Sequence, residues 1–137
     1  MSDKPPVPDA LAASAFSVSL TVKELPKSLT WYRDVLGFAV VRTIERDGKV
    51  RGYALQAGEA RIAINQDDGA RGWTRVKGEG FSFNLTTTQS IDALARGIQG
   101  RGGTLETEPA DMPWGTRAFR LRDPDGYKFA ISSPRPA

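Results

Sequence analysis

The sequence predicts a single α+β domain built from two βαβββ modules, which form a curved mixed sheet with a concave cavity. Three observations lead to this fold class. The chain has 137 residues, which is enough for one ordinary domain with a core of its own. Two short segments alternate apolar and small polar residues, and each precedes a helical pattern. Three further strand patterns follow each helical pattern, so the order β, α, β, β, β occurs twice.

Module one begins with the strand pattern of residues 16–22 (FSVSLTV). Pro26 opens a helix over residues 26–35, because proline is tolerated in the first turn of a helix, and Gly37 ends it. An Asp-Gly pair at residues 47–48 predicts a hairpin turn. The three strands of this half are predicted at residues 39–46, 51–56 and 60–65.

Module two repeats this order. The strand pattern of residues 81–86 precedes a helix over residues 90–99, in which apolar residues recur at helical spacing. Two glycines at residues 102–103 end this helix, and DPDG at residues 123–126 predicts a tight turn. The remaining strands are predicted at residues 104–107, 116–122 and 127–132.

Outside the modules, the chain has two segments of loop composition. One is the N-terminal segment, in which three prolines stand among small and polar residues, as in a flexible tail. The other joins the modules and contains four glycines (GARGWTRVKGEG), which is typical of a flexible linker or of a lid over a pocket. The predicted organisation is a tail at residues 1–14 and a single domain at 15–137, with module one at 16–66, the linker or lid at 67–80 and module two at 81–134.

The composition excludes several function classes. The chain has no histidine and no cysteine, so disulfides, thiolate nucleophiles and Ser-His or Cys-His catalytic pairs are impossible. The net charge of +3 is spread along the chain, unlike the basic stripe of a nucleic-acid-binding protein. No segment has the roughly 20 apolar residues of a membrane span, and residues 1–15 lack the features of a secretory signal. We therefore expect a cytoplasmic protein that binds neither nucleic acid nor membrane.

Three motifs resemble those of one known family. They are LTVKELPKSLTWYRDVLGF at residues 20–38, PWG at 113–115 and RDPDG at 122–126. Together with the repeated plan over residues 16–134, they resemble the vicinal oxygen chelate (VOC) superfamily of glyoxalases, extradiol dioxygenases, fosfomycin-modifying enzymes and bleomycin resistance proteins. The resemblance implies the glyoxalase/bleomycin resistance-like fold and a homodimer. It constrains function less, because one fold hosts unrelated chemistries.

The metalloenzymes of that superfamily hold a divalent metal with His, Gln or Glu at four strand positions that face one cavity. By this resemblance, the positions on the first, fourth and final strands correspond to Ser17, Ala63 and Ala130, and that on the fifth strand to one of residues 80–82. None of these residues is a good ligand, since Zn, Fe and Ni sites use imidazole, thiolate or carboxylate. We therefore expect no metal, no other cofactor and no metal-dependent glyoxalase or dioxygenase activity.

Strand parity assigns residues to the cavity without reference to any activity. Residues two apart in a strand point to the same face, and the apolar faces should pack under the helices. The opposite faces should line the cavity, with Ser17, Ser19, Thr21, Arg61, Ala63, Asn65, Ser82, Asn84, Ala118, Arg120, Lys128, Ala130 and Ser132. This set holds three cations and no carboxylate, which favours an anionic ligand with an aromatic or apolar body. Alternatively, the cations reach into solvent, or these faces close against a partner subunit.

The three tryptophans have different expected roles. Trp31 lies on the first helix and is expected in the core. Trp73 in the linker and Trp114 in the PWG loop are not needed for a strand or helix core, so we expect them to stack on a flat ligand or to anchor loops at a dimer interface. The expected ligand-binding residues are Ser17, Ser19, Arg61, Asn65, Trp73, Ser82, Asn84, Trp114, Arg120 and Lys128, with no catalytic and no metal-ligating residue.

Three function classes fit this sequence. The favoured one is a metal-independent protein of glyoxalase/bleomycin resistance type that binds a small organic molecule. The second is a glyoxalase- or dioxygenase-like lyase, isomerase or oxygenase that works without protein-bound metal or with atypical ligands. The third is a structural or regulatory dimer with a vestigial cavity. Retained small molecules favour the first class, turnover favours the second, and the lack of any saturable ligand favours the third.

Overall fold

The helices and strands follow one another in the predicted order. A computed structural model describes residues 8–134. Module one contains β1 (Val18–Val22), α1 (Leu25–Thr30), a π-helical segment (Trp31–Leu36), β2 (Ala39–Arg46), β3 (Lys49–Ala57) and β4 (Ala60–Gln66). Module two contains β5 (Phe83–Thr86), α2 (Ile91–Gly100), β6 (Leu105–Asp111), β7 (Thr116–Arg122) and β8 (Lys128–Pro134). The predicted α+β class and the two βαβββ modules are confirmed.

Each module forms its own four-stranded mixed sheet. The strand order is β1-β4-β3-β2 in sheet one and β5-β8-β7-β6 in sheet two. In both sheets the first and last strands of the module are parallel, and the other neighbours are antiparallel. Within residues 8–134 no strand pairing joins the two sheets and no closed barrel forms, so β1 and β5 are both edge strands.

The first helix changes its winding before it ends. Pro26 lies in the first turn of α1, as the sequence predicts, and the π-helical segment then continues to Leu36. Gly37 adopts a φ of +100°, which glycine tolerates, and its amide donates a hydrogen bond to the Tyr32 carbonyl oxygen at 3.0 Å. This ending leaves Tyr32 and Val35 buried in the core.

One continuous hydrophobic core joins the two modules. Tyr32, Phe119 and Phe129 are fully buried within it, and Trp31 packs edge-on against Tyr32 with ring centroids 4.8 Å apart. In β4, Ile62 and Ile64 are buried, as the alternation predicts. The apolar residues of β4, β7 and β8 are buried in this core, as strand parity predicts. The apolar set of residues 81–86 departs from that prediction, because β5 is an edge strand: Phe81 is 46% exposed, and Phe83 and Leu85 are only partly buried.

Hydrogen bonds between the modules surround the RDPDG turn. The buried carboxylate of Asp123 accepts hydrogen bonds from the Tyr32 hydroxyl at 2.8 Å and from the backbone amides of Asp125 and Tyr127 at 2.9 and 2.7 Å. The Tyr127 hydroxyl donates to the Thr21 carbonyl oxygen at 2.9 Å. Burial raises the pKa of Asp123, and the hydrogen bond from Tyr32 opposes that rise. We call this group, Thr21, Tyr32, Asp123 and Tyr127, the module junction.

Several element ends differ from the predicted bounds. β1 and β5 each begin two residues later than predicted, which leaves Ser17 and Ser82 just before a strand. β6 extends to Asp111, past Pro109, because it is an edge strand with two irregularities in its pairing with β7. Of the predicted tail, residues 1–7 lie outside the described residues, and residues 8–14 form no helix or strand. No helix in the described part of the chain is long and apolar enough to cross a membrane.

Candidate functional site

The strand register shows which predicted residues share a face within each sheet. Across β1 and β4, Ser19 lies opposite Ala63 and Thr21 lies opposite Asn65. Residues directly opposite each other in a sheet point to the same side, so these four form one polar face. In sheet two the corresponding opposite pairs are Asn84 with Ala130, Arg120 with Ala130, Ala118 with Ser132, and Arg122 with Lys128.

A cleft of about 510 Å³ lies where the two modules meet, between the β1 and β4 side of sheet one and β5. Its apolar wall consists of Phe16, Val18, Ile62, Phe81, Phe83 and Leu85. Its polar wall includes Glu59, Arg61, Ser82 and Asn84. We call it the inter-module cleft. Its volume falls in the range of small-molecule sites, and its lining combines aromatic surface with a few polar groups, as such sites do.

A smaller pocket of about 100 Å³ lies beside the cleft on the polar face of sheet two. Ser82 and Asn84 line both cavities, so the two are neighbours. We call the smaller one the basic pocket, because Arg120 and Lys128 line it. The Arg120 amide donates a hydrogen bond to the Thr107 hydroxyl at 2.9 Å, which fixes the backbone of β7 at this point.

Both cavities are lined by cations and carboxylates, with Arg61 and Glu59 in the cleft and Arg120, Lys128 and Glu106 in the basic pocket. Arg61, Arg120 and Lys128 form no ion pair within residues 8–134. Glu106 also lines the basic pocket, but it is ion-paired with Arg122. A guanidinium or ammonium without an internal partner can form charge-assisted hydrogen bonds to a carboxylate or phosphate.

Two carboxylates line these cavities although the predicted lining contained none: Glu59 in the inter-module cleft and Glu106 in the basic pocket. The register of β6 against β7 shifts between Leu105 and Thr107. These two residues lie opposite the consecutive residues Leu121 and Arg120, so β6 has one extra residue at this point, which is a β-bulge. The predicted lining included no residue of the strand at 104–107, and strand parity does not hold across this bulge, which contains Glu106. The sequence signal for an irregular register is Pro109, because proline within a sheet occurs at edge strands or bulges.

The structure brings together five of the ten expected ligand-binding residues. Arg61, Ser82 and Asn84 line the inter-module cleft, and Ser82, Asn84, Arg120 and Lys128 line the basic pocket. Ser19 and Asn65 lie on the polar face of sheet one, outside both cavities, where the Asn65 amide donates to the Ser19 hydroxyl at 3.4 Å. Ser17 precedes β1, is exposed, and lies outside both cavities as well.

The two loop tryptophans are not placed at the cleft. Trp114 lies in the turn between β6 and β7, is 71% exposed and lines neither cavity. Trp73 lines a third cavity, together with Lys23 and Arg75, which shares no residue with the other two. The aromatic side chains that line the inter-module cleft are instead Phe16, Phe81 and Phe83.

The residues at the superfamily's metal-ligand positions do not fit a divalent metal. Ala63 and Ala130 offer methyl groups, and Ser17 and Ser82 offer neutral hydroxyls, whereas such metals need imidazole, thiolate or carboxylate ligands. Within the described residues, no group of three or more metal-binding side chains lies together. Glu106 is engaged with Arg122. We therefore derive no chemistry from a bound metal at this site.

Comparison with known proteins places these observations in one family. The chain is 29% identical over 118 residues to a protein of Synechocystis sp. named probable lactoylglutathione lyase, covering 82% of this chain and 88% of that protein. A solved superfamily member from Sphaerobacter thermophilus is 27% identical with a TM-score of 0.72, covering 89% of this chain and 98% of that one. TnmS3, an antibiotic binding protein from a Streptomyces species, has the same fold at 19% identity, with a TM-score of 0.71 and coverage of 92% and 99%. The sequence model of the superfamily itself matches residues 14–131. This chain belongs to the Glyoxalase/Bleomycin resistance protein/Dioxygenase superfamily.

Proposed function

We propose that this protein binds a small organic anion with an aromatic or apolar body, without a protein-bound metal. The observation that carries the proposal is the adjacency of the inter-module cleft and the basic pocket, which share Ser82 and Asn84. The apolar body of the ligand occupies the cleft. Its anionic group lies against Arg120 and Lys128, whose charges have no internal partner within residues 8–134.

The two cavities contribute different parts of the affinity. Removing about 100 Å² of apolar ligand surface from water contributes roughly 2.5 kcal/mol, before the cost of immobilising the ligand. Phe81 and Phe83, whose ring centroids lie 5.2 Å apart, offer that surface in the cleft. The cations add charge-assisted hydrogen bonds, which select a carboxylate or phosphate over a neutral polar group.

The proposal is tested with a pair of probes that differ only in charge. Naphthoate carries an aromatic body and a carboxylate, whereas naphthamide carries the same body without the charge. Calorimetric titration of the full chain should show tighter binding of naphthoate. Charge reversal in Arg120→Glu should abolish naphthoate binding and leave naphthamide binding within about twofold, because only the anion contacts this residue. Arg46→Glu, on the exposed end of β2, is the matched charge-reversal control.

Two outcomes would contradict this function. One is an unchanged naphthoate affinity in Arg120→Glu, which would mean that the basic pocket does not receive the anion. The other is equal affinity for the two probes in the unsubstituted protein, which would mean that charge plays no part in recognition. An equal loss of affinity in Arg46→Glu would show that net charge alone governs binding.

A second candidate function is a glyoxalase-like enzyme that works without protein-bound metal or with atypical ligands. It is favoured by the relatives, since the Synechocystis protein is named probable lactoylglutathione lyase and a Salmonella typhimurium protein, 27% identical over 124 residues, is named lactoylglutathione lyase. Turnover of lactoylglutathione by the purified chain would support this candidate. Turnover that survives a chelator would point to metal-free chemistry, and chelator-sensitive turnover to ligands other than the expected positions.

The proposal also includes a cytoplasmic homodimer. β1 and β5 are edge strands, and Phe16 and Phe81 are exposed beside them at the cleft. A second copy that covered these edges would remove unpaired backbone groups from solvent and enclose the cleft. Native mass spectrometry of freshly purified protein reports the subunit number together with any retained small molecule or metal. A monomer at micromolar concentration would contradict the dimer.

A further inference from the structure

A cavity of about 340 Å³ lies between the start of α1, the linker and the RDPDG turn. It shares no residue with the inter-module cleft or the basic pocket, so nothing in the proposed function uses it. Its volume is within the range of small-molecule sites. Its lining includes one aromatic ring, four cations and two carboxylates: Trp73, Lys23, Lys27, Arg75, Lys77, Glu24 and Asp125. We call it the linker cavity.

The indole ring of Trp73 is held in place at this cavity. Gly69 has a φ of +76°, and a Cβ added there would lie 2.4 Å from the Trp73 ring, so the ring packs directly on the Gly69 backbone. The Gly69 amide is itself held by a 2.9 Å hydrogen bond to the Asp67 carboxylate. Trp73 is nevertheless 49% exposed. A fixed ring that keeps part of its surface open can stack on a planar ligand at little cost in side-chain entropy.

The cations of the linker cavity outnumber its carboxylates. Lys77, with a side chain only 6% exposed, lies 3.3 Å from Asp67 and 3.7 Å from Asp125, and Arg75 lies 3.6 Å from Asp67. These two cations and two carboxylates balance one another.

Two further lysines lie at the same cavity. Lys27 is 4.0 Å from Glu24, and both side chains are exposed, so this pair contributes little. The Lys23 ammonium has no ion-pair partner within residues 8–134. Lys23 is therefore the positive charge in excess. Lys27 and Arg75 are held only loosely by their carboxylate partners, Glu24 and Asp67.

One buried polar group of the cavity also lacks a partner. Ser28 is fully buried and lines the cavity, and its hydroxyl forms no hydrogen bond within the described residues. A buried hydroxyl left without a partner is unfavourable and is normally satisfied by protein, water or ligand. The hydroxyl has almost no exposed surface, so it is not one of the groups that the cavity offers to a ligand.

We propose that the linker cavity binds a planar aromatic phosphate ester of mononucleotide size. Its ring stacks on Trp73, and its phosphate lies against Lys23, with Lys27 and Arg75 nearby. Lys23 has no ion-pair partner within residues 8–134, and Lys27 and Arg75 are held only loosely by theirs. A doubly charged phosphate can interact with all three cations, and it therefore fits this cavity better than a single carboxylate does. The site is separate from the basic pocket and does not depend on the proposed function.

Three probes separate the contributions of ring and charge. AMP carries both, adenosine only the ring, and inorganic phosphate only the charge. In a titration of the full chain, AMP should shift the NMR signal of the Trp73 indole N–H and should bind more tightly than either partial probe. By calorimetry, Trp73→Leu should weaken AMP binding roughly tenfold through loss of stacking, and Trp73→Phe should weaken it less, because a ring remains. Lys23→Gln should weaken it about threefold or more, whereas Lys49→Gln on the β2–β3 hairpin should not.

Several results would overturn this proposal. They include an unmoved Trp73 indole signal at about 10 mM AMP, an AMP affinity unchanged by both Lys23→Gln and Trp73→Leu, and inorganic phosphate that binds as tightly as AMP. Loss of AMP binding in Arg120→Glu, with Lys23→Gln unaffected, would place AMP in the basic pocket instead. Conversely, failure of naphthoate binding with AMP binding intact would overturn the proposed function and leave the linker cavity standing.

Discussion

At the module junction, Asp123 is 5% exposed and accepts three hydrogen bonds, whereas Arg61, Arg120 and Lys128 at the cleft and basic pocket form no ion pair within residues 8–134. Tyr32 and Asp123 belong to the motifs that carry the family resemblance, and the three cations lie outside them. The motifs of this chain therefore specify how its two modules pack, and the groups available to a ligand lie elsewhere.

The difference has a physical cause. A buried polar group must find its partners inside the protein, because the loss of its hydrogen bonds to water is otherwise uncompensated. A binding group needs the opposite condition, since a charge already paired internally has less to gain from a ligand. Resemblance in the junction motifs thus informs the fold of this protein much more than its ligand.

The junction should be broken most severely by Asp123→Ala. The substitution removes the acceptor for the Tyr32 hydroxyl and for two backbone amides in a buried turn. We expect the free energy of unfolding to fall by about 3–5 kcal/mol, measured by urea denaturation. Glu45→Ala, an exposed carboxylate on β2, is the control for loss of charge. A loss below about 1 kcal/mol would show that the turn holds its shape without Asp123.

A smaller and pH-dependent effect is expected for Tyr32→Phe, which removes one donor from the same carboxylate. At about pH 7 the free energy of unfolding should fall by about 1.5–3 kcal/mol, the usual contribution of a hydrogen bond to a charged group. Tyr53→Phe, at a partly buried tyrosine of β3, is the matched control.

The sign of the pH dependence follows from the raised pKa of Asp123 in the folded protein. Such a group favours the folded state below its unfolded pKa, and this contribution is lost as the pH rises through the folded pKa. Loss of the Tyr32 hydroxyl raises the folded pKa of Asp123 further. The difference between Tyr32→Phe and the unsubstituted protein should therefore be larger at about pH 7 than at about pH 4. An equal difference at both values would mean that the hydroxyl does not stabilise the ionised carboxylate.

Most of the fold could be predicted from the sequence, because local patterns report local geometry. The alternation in β4 predicted that Ile62 and Ile64 lie in the core and that Arg61 lies on the opposite face. The burial of the two isoleucines confirms the first of these predictions. The errors lie where tertiary contacts override local pattern. β6 extends past Pro109 because its bulges occur at a sheet edge, and the first helix ends in a π-helical segment whose last turn closes on Tyr32.

The candidate site could be predicted only in part. Strand parity correctly grouped Asn84, Arg120 and Lys128, because each lies on a regular strand and faces away from the hydrophobic core. It could not place Trp73 or Trp114, since no period governs a loop. The position of the Trp73 ring depends on its contact with the backbone of Gly69, which no strand or helix pattern encodes.

The smallest expected change in stability is the one that sharpens the comparison most. Arg120→Gln removes a charge that has no ion-pair partner within residues 8–134, so the free energy of unfolding should change by less than about 0.5 kcal/mol. The same substitution should weaken naphthoate binding at least about threefold, because a charge-assisted hydrogen bond becomes a neutral one. Urea denaturation and calorimetric titration on one preparation measure both quantities. A loss of stability above about 1 kcal/mol would show that Arg120 is a structural residue, like those of the junction. Stability retained with affinity lost would instead separate the groups that hold the modules together from those that meet the ligand.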